Sequence, residues 1–184
     1  MKGLLFIICA AILAYGYFEH RGDRPIVYPP GVLVSEKPLQ TDIRATSFFV
    51  DDYELTRRAR FEIRARVLGR ERYYLRRESD LSPLDLALGW GVMSDEAVLE
   101  RIDVSQSNRW YFTRYEYPAP LSNEQITTHS SNMHMIPARK SIERRLKELR
   151  PGSIVTLKGY LVDVYHVSGW HWRTSLSRTD TGNG

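Results

Sequence analysis

Phe61-Glu62-Ile63-Arg64-Ala65-Arg66-Val67-Leu68 alternates between apolar and charged side chains. Successive Cβ atoms of a strand point to opposite faces, so Phe61, Ile63, Ala65 and Val67 fall on one side and Glu62, Arg64 and Arg66 on the other. The segment is expected to be a strand with one buried and one solvated face. Gly69-Arg70 permits a turn, and Arg72 to Leu75 is expected to return as a second strand.

Further strands follow. Arg109 to Tyr117 carries Trp110, Tyr111, Phe112, Tyr115 and Tyr117, and Pro118 and Pro120 stop it. Ile154 to Val167 is a long strand, with Gly159 as an expected bulge or bend. Ser168-Gly169 turns it into a hairpin whose return strand covers residues 170–178. That turn sets Val167 opposite Trp170, His166 opposite His171 and Tyr165 opposite Trp172.

Helix signals are local. From Ala138, the spacing of Ile142, Leu146 and Leu149 gives an apolar stripe, Glu143 and Lys147 pair at i, i+4, and Pro151-Gly152 ends the helix. Ser82-Pro83-Leu84-Asp85 reads as a helix start, with Leu86, Ala87 and Leu88 following and Gly89-Trp90-Gly91 ending it. On this reading Asp85 serves the helix N-terminus and Trp90 anchors the core. Ser94 opens another short helix with Asp95 and Glu96 in its first turn and Val98, Leu99 and Ile102 as its apolar side. Together these elements predict an α+β fold: a small, mostly antiparallel β-barrel or sheet in an OB-like order, with two or three short helices, preceded by an N-terminal apolar helix.

The 184 residues are 42% hydrophobic and 26% charged, ordinary values for a globular domain. Three regions are expected: a signal anchor or signal peptide over 1–18, a Pro-rich linker or arm over 19–40, and a single α+β domain over 41–184. Lys2 precedes an almost wholly apolar run from Leu4 to Phe18, and Ala14-Tyr15-Gly16 offers small residues for cleavage. Pro25, Pro29, Pro30 and Pro38 suit an extended spacer or an ordered arm, in which Val32-Leu33-Val34 has the composition of an edge strand. Cys9 is the one cysteine, so no disulfide framework, thiolate zinc site or cysteine nucleophile is available. The formal charge of +4 is mildly basic.

Three stretches carry a resemblance. Leu84 to Asp95 (Leu-Asp-Leu-Ala-Leu-Gly-Trp-Gly-Val-Met-Ser-Asp), Ser131 to Ala138 (Ser-Asn-Met-His-Met-Ile-Pro-Ala) and Gly169-Trp170-His171-Trp172 with Ser175 to Gly182 resemble a family of small, uncharacterised bacterial envelope proteins with an N-terminal membrane or export segment. The resemblance implies chains that continue past Gly182, and it brings no activity and no catalytic residue. It implies a bacterial envelope protein, and the N-terminal segment adds the expectation of an inner-membrane protein, single pass with its domain in the periplasm, or a periplasmic protein after cleavage.

The densest group of reactive side chains is His129-Ser130-Ser131-Asn132-Met133-His134-Met135-Ile136-Pro137, expected to be a loop leading into the helix. His129, Asn132 and His134 are the candidate catalytic residues for a hydrolase or metal-assisted enzyme. No Gly-x-Ser-x-Gly elbow or His-Glu-x-x-His pattern accompanies them. His129 and His134 lie about 140° apart on a helix and on opposite faces of a strand, so no metal and no cofactor is expected. Nine arginines fall between Arg57 and Arg77. Arg64 and Arg66, with Tyr73 and Tyr74 nearby, form a candidate binding face for an anionic ligand or, less in keeping with export, nucleic acid. His166, His171 and Trp172 form a second candidate binding group. The leading expectation is a non-enzymatic binding or interaction module in the envelope, held to the membrane by its N-terminal segment, with a protein or polyanion partner.

Overall fold

The computed structural model describes residues 24–75 and 78–177. In chain order these residues form β1 (Leu39–Val50), β2 (Tyr53–Arg72), α1 (Glu78–Leu81), β3 (Leu84–Gly89), α2 (Glu96–Leu99), β4 (Ile102–Ser107), β5 (Trp110–Tyr115), α3 (Asn123–Thr128), β6 (Ser130–Met135), α4 (Lys140–Glu148), β7 (Ile154–His166) and β8 (His171–Trp172). No helix among the described residues is long and apolar enough to cross a membrane. The expected apolar helix over 4–18, Arg76, Arg77 and the tail from Arg178 lie outside them.

The architecture is α+β: a mostly antiparallel sheet curled into a half-barrel, with few helices. β2, with 20 residues, is its spine. One edge of β2 pairs with β7 from Tyr53 to Arg66. Its other edge pairs first with β1, up to Glu62, and then with β3, from Arg66 to Arg72. The ladders slip between Arg57 and Ala59 on the β7 side and between Val67 and Gly69 on the β3 side. An extra residue on one strand bends it and increases its twist, which is how one long strand serves both halves of a curled sheet. The expected turn at Gly69-Arg70 is therefore a bulge within β2, and the return strand is β3 rather than residues 72–75. Gly159 pairs regularly with Phe61, so the irregularity expected there sits on β2 instead.

The alternation that begins at Phe61 holds. Phe61, Ile63, Ala65 and Val67 are buried and join Leu84, Leu86, Leu88, Trp90 and Leu146 in the main core. α4 lays Ile142, Leu146 and Leu149 on this core, as its spacing predicted. Glu143 accepts from Lys147 at 2.6 Å and Lys140 at 3.0 Å, and these bonds hold its carboxyl below the usual range. A second cluster joins Tyr53, Leu55, Leu81 and Val164 to Ile136, Trp170 and Trp172. A third, around Met93, Ile102 and Ile126, lies under the β4–β5 hairpin.

Further expectations are corrected. Residues 84–89 are a strand, not a helix, and all six are buried. A strand covered on both faces has no reason to alternate, so its apolar run looks like a short buried helix. The His129–Pro137 stretch is mostly β6, paired with β3, rather than a loop. The final hairpin pairs Val164 with Trp172 and Tyr165 with His171, one position from the expected register. His166 N–H donates to the Trp170 carbonyl at 2.8 Å, so the loop is Val167-Ser168-Gly169, with Gly169 at φ +88°. That left-handed glycine suits a three-residue hairpin loop. β8 ends after Trp172, and Thr174 N–H goes to the Asp163 side chain at 3.0 Å. Val32-Leu33-Val34 makes no strand, because Ser94 Oγ accepts from both Leu33 N–H, at 3.2 Å, and Val34 N–H, at 3.0 Å. The short helix is capped by Asp95 rather than Ser94, and Ile102 opens β4.

Leu86 is fully buried in the middle of β3. Leu86→Ala is expected to cost about 2–5 kcal/mol in urea unfolding, against about 0.5 kcal/mol or less for exposed Val32→Ala. A small loss at Leu86 would contradict a strand buried on both faces.

Candidate functional site

β3 and β6 run antiparallel with Asp85 directly opposite His134. Leu84, Leu86, Leu88, Met133 and Met135 take the core side of this pair. Asp85 and His134 therefore share the other side with Ala87, Ser130 and Asn132.

Asp85 has no exposed side-chain surface. Its Oδ1 accepts from Arg109 Nη1 at 2.7 Å and lies 3.0 Å from His134 Nδ1. Its Oδ2 accepts from the Tyr73 hydroxyl at 3.2 Å. A buried carboxylate needs this kind of pairing, since an uncompensated buried charge costs several kcal/mol.

Arg109 reaches Asp85 from the tip of the β4–β5 hairpin. Asn108 and Arg109 have φ +52° and +72°, the pair of left-handed residues found in a tight hairpin turn. Asn tolerates this conformation and Arg pays for it, so the turn is held from outside. Arg109 N–H donates to the Tyr73 hydroxyl at 3.0 Å, and Asn132 Nδ2 donates to the Arg109 carbonyl at 2.9 Å. The guanidinium also donates to the Ser82 carbonyl at 2.8 Å and lies 3.6 Å from the Tyr73 ring centroid. Burial pushes the Tyr73 hydroxyl pKa up, the Asp85 charge pushes it further, and the Arg109 N–H opposes both. Tyr111 is raised by burial too, against the opposing effect of its 2.5 Å bond to Ser130.

Trp172 completes the group. Its ring stacks on the His134 imidazole, centroids 4.8 Å apart and planes 24° from parallel. His134 belongs to β6 and Trp172 to β8, the two ends of the sheet order. The curl has brought opposite edges together, and the site lies on that seam. Side-chain exposure rises from 0% at Asp85 through 16% at Arg109 to 31% at His134. With Nδ1 facing Asp85, the His134 Nε2 bonds no group among the described residues. Neutral imidazole donating through Nδ1 leaves a lone pair on Nε2.

The other predicted residues are dispersed. Asn132 shares a face with His134 but is bonded to Gln106 at 2.8 Å and to Arg109. His129 ends α3, with Nδ1 2.9 Å from the Gln125 carbonyl. A five-residue separation along an extended chain, about 16 Å, keeps it from His134. No group of three or more His, Cys, Asp and Glu able to hold a metal occurs among the described residues. His166 packs edge-on to Tyr53, while His171 stacks on Tyr165 at 5.5 Å, so the two histidines do not face each other.

The Arg64–Arg66 face is also corrected. Arg64 is exposed, but Arg66 is buried, with Nη2 2.5 Å from Glu96 Oε2. Residues 26–34 and 94–96 cover it: Tyr28 N–H donates to Glu96 and Gly31 N–H to Asp95, both at 2.9 Å. Tyr73 belongs to the Asp85 cluster and Tyr74 is exposed. The two residues overlooked in the sequence are Asp85 and Arg109. Their signals were a lone carboxylate inside an apolar run and Asn108-Arg109 between two strand-like segments.

The chain matches no family model, no curated protein and no solved structure.

Asp85→Asn leaves Arg109 without its counter-charge and is expected to cost about 3–5 kcal/mol in urea unfolding. Asp85→Leu combined with Arg109→Met should recover most of that loss. If Asp85→Asn costs less than about 1 kcal/mol, the ion pair does not hold the hairpin. Alkaline unfolding reads Tyr73. Below about pH 10 the phenol is neutral in both states. Above that the unfolded phenol ionises while the folded one keeps its proton, so stability falls as pH rises. The slope of stability against pH above 10 should be shallower in Tyr73→Phe.

Proposed function

We propose that this protein is a bacterial envelope protein, anchored in the inner membrane by residues 4–18 with its domain in the periplasm. The domain is a non-enzymatic binding module that holds a polar group of its partner against His134 and Trp172. In this proposal the curl is that of an open, OB-like barrel, preceded by an apolar helix. Location rests on the N-terminal sequence: one lysine, then an almost wholly apolar run.

The observation that carries the binding reading is the 3.0 Å Asp85–His134 contact beneath the Trp172 stack. Asp85 fixes the ring orientation and tautomer, and Trp172 fixes its plane. The edge that remains accepts a hydrogen bond when neutral and donates one to an anion when protonated. Trp172 adds an apolar wall, and Arg109 adds positive charge 5.4 Å from that ring. Such pre-organised groups bind without first paying for rotamer ordering.

A second reading has one specific observation behind it. A carboxylate on Nδ1 that leaves the Nε2 lone pair outward is also how a histidine general base is oriented. On that reading, substrate and water meet His134 Nε2.

The test is the thermal midpoint of the full chain in detergent with cell-wall fragments, heparin or small carboxylates. A ligand at 100 times its Kd adds about 2.7 kcal/mol, an easily seen rise. The rise is expected in the native chain and should be lost in His134→Ala and Trp172→Ala, provided each still unfolds cooperatively. A rise that survives both substitutions places the binding elsewhere. Turnover of a bound fragment, abolished by His134→Gln, favours the second reading.

A further inference from the structure

We propose that the outward face of α4 docks on anionic lipid headgroups of the membrane that anchors the chain, and so fixes the orientation of the domain. This rests on the anchor reading of residues 4–18.

Charge is the first ground. Residues 139–150 hold six basic side chains, Arg139, Lys140, Arg144, Arg145, Lys147 and Arg150, against Glu143 and Glu148. That surplus equals the +4 formal charge of the entire chain. The apolar stripe of α4 faces the core, so Lys140, Arg144 and Lys147, at i, i+4 and i+7, take the opposite side. Arg139, Lys140, Arg144, Arg145 and Arg150 are exposed. Glu143 is committed to Lys140 and Lys147, and no ion pair of Arg139, Arg144, Arg145 or Arg150 occurs among the described residues.

Position is the second ground. Ile26 N–H donates to the Pro151 carbonyl at 2.8 Å, just past the end of α4. Gly152 has φ +88°, and a Cβ there would collide with the Ile26 carbonyl. The chain thus enters the domain at the C-terminal end of this helix. Residues 19–25 separate Ile26 from the apolar run ending at Phe18. Fully extended, they span at most about 25 Å. α4, at about 14 Å long, sits beside the point of entry. Tethering converts headgroup binding into an intramolecular event at high effective concentration. The cations and the tether therefore lie at one corner of the domain, where an anionic surface attracts them most.

The experiment uses the full chain with Cys9→Ser and one introduced cysteine carrying a fluorescent donor, either Ser141→Cys on α4 or Val167→Cys at the exposed hairpin tip. It is reconstituted in phosphatidylcholine vesicles with or without 30% phosphatidylglycerol, with a headgroup-labelled acceptor lipid. Energy transfer from position 141 is expected to rise at least twofold with the anionic lipid. That rise should vanish in 0.5 M salt and in Arg144→Glu/Arg145→Glu, while position 167 changes little. Transfer from 141 that is the same in both lipids and insensitive to salt overturns the proposal. The double variant must keep the native thermal midpoint, and Lys140→Gln/Arg144→Gln, which adds no negative charge, should show the same loss. Flotation with pure phosphatidylcholine vesicles after an alkaline wash tests the anchor separately. A chain that does not float overturns the anchor reading, and with it the tethered geometry. A chain that floats without the lipid-dependent rise overturns only the α4 proposal.

Discussion

A carboxylate with no access to water cannot stay charged in a protein interior unless something answers its charge. Asp85 interrupts an otherwise apolar strand, and much of the molecule is arranged around that fact. Arg109 supplies the charge, Tyr73 and His134 the remaining bonds, and Ser82 holds the guanidinium in place. The β4–β5 hairpin is a separate two-stranded sheet, and its tip is tied to the main sheet through Arg109 and Asn132. Replacing such a cluster by apolar groups is often neutral for stability, so its contribution lies in which arrangement is chosen.

β2 gives that cluster its setting. A strand of 20 residues would run straight past any one core, and its bulges bend it instead. The bend brings β8 round to β6, and the imidazole–indole stack closes the seam where no backbone ladder does. The same long strand carries Arg66, whose pairing with Glu96 is a second buried ion pair. Two buried ion pairs thus fix two coverings: the β4–β5 hairpin on one, the N-terminal arm on the other.

What the sequence made legible is whatever depends on local pattern. The alternation in β2 and the stripe of α4 were readable because one buried face imposes a period, and β5 was readable from its aromatic content. β3 was not, since both of its faces are covered. β6 was hidden for a related reason: in its polar row Ser130 and Asn132 are met by Tyr111 and Gln106, and His134, though partly exposed, is held by Asp85. The candidate site was half legible. His134 and Trp172 stood out by composition, and Asn132 proved to be a support for the hairpin. Asp85 and Arg109 meet only through pairing between distant segments, and the sequence showed Asp85 as a plausible helix-start residue. The arginine run misled because its members part ways: Arg58 to Asp163, Arg66 to Glu96, and Arg70 and Arg72 to the carbonyls ending α4.

The arm over residues 26–34 has a mechanical consequence. A pull on the N-terminal end reaches Ile26, Tyr28, Gly31, Leu33 and Val34 before it reaches β1, and each of these is bonded to the body of the domain. The load therefore falls on a row of short contacts spread across Pro151, Glu96, Asp95 and Ser94, with Arg66 gripping the Ile26 carbonyl and Glu96 from beneath. β1, a solvent-rich edge strand and the easiest element to peel away, is shielded from tension by the stretch of chain that precedes it.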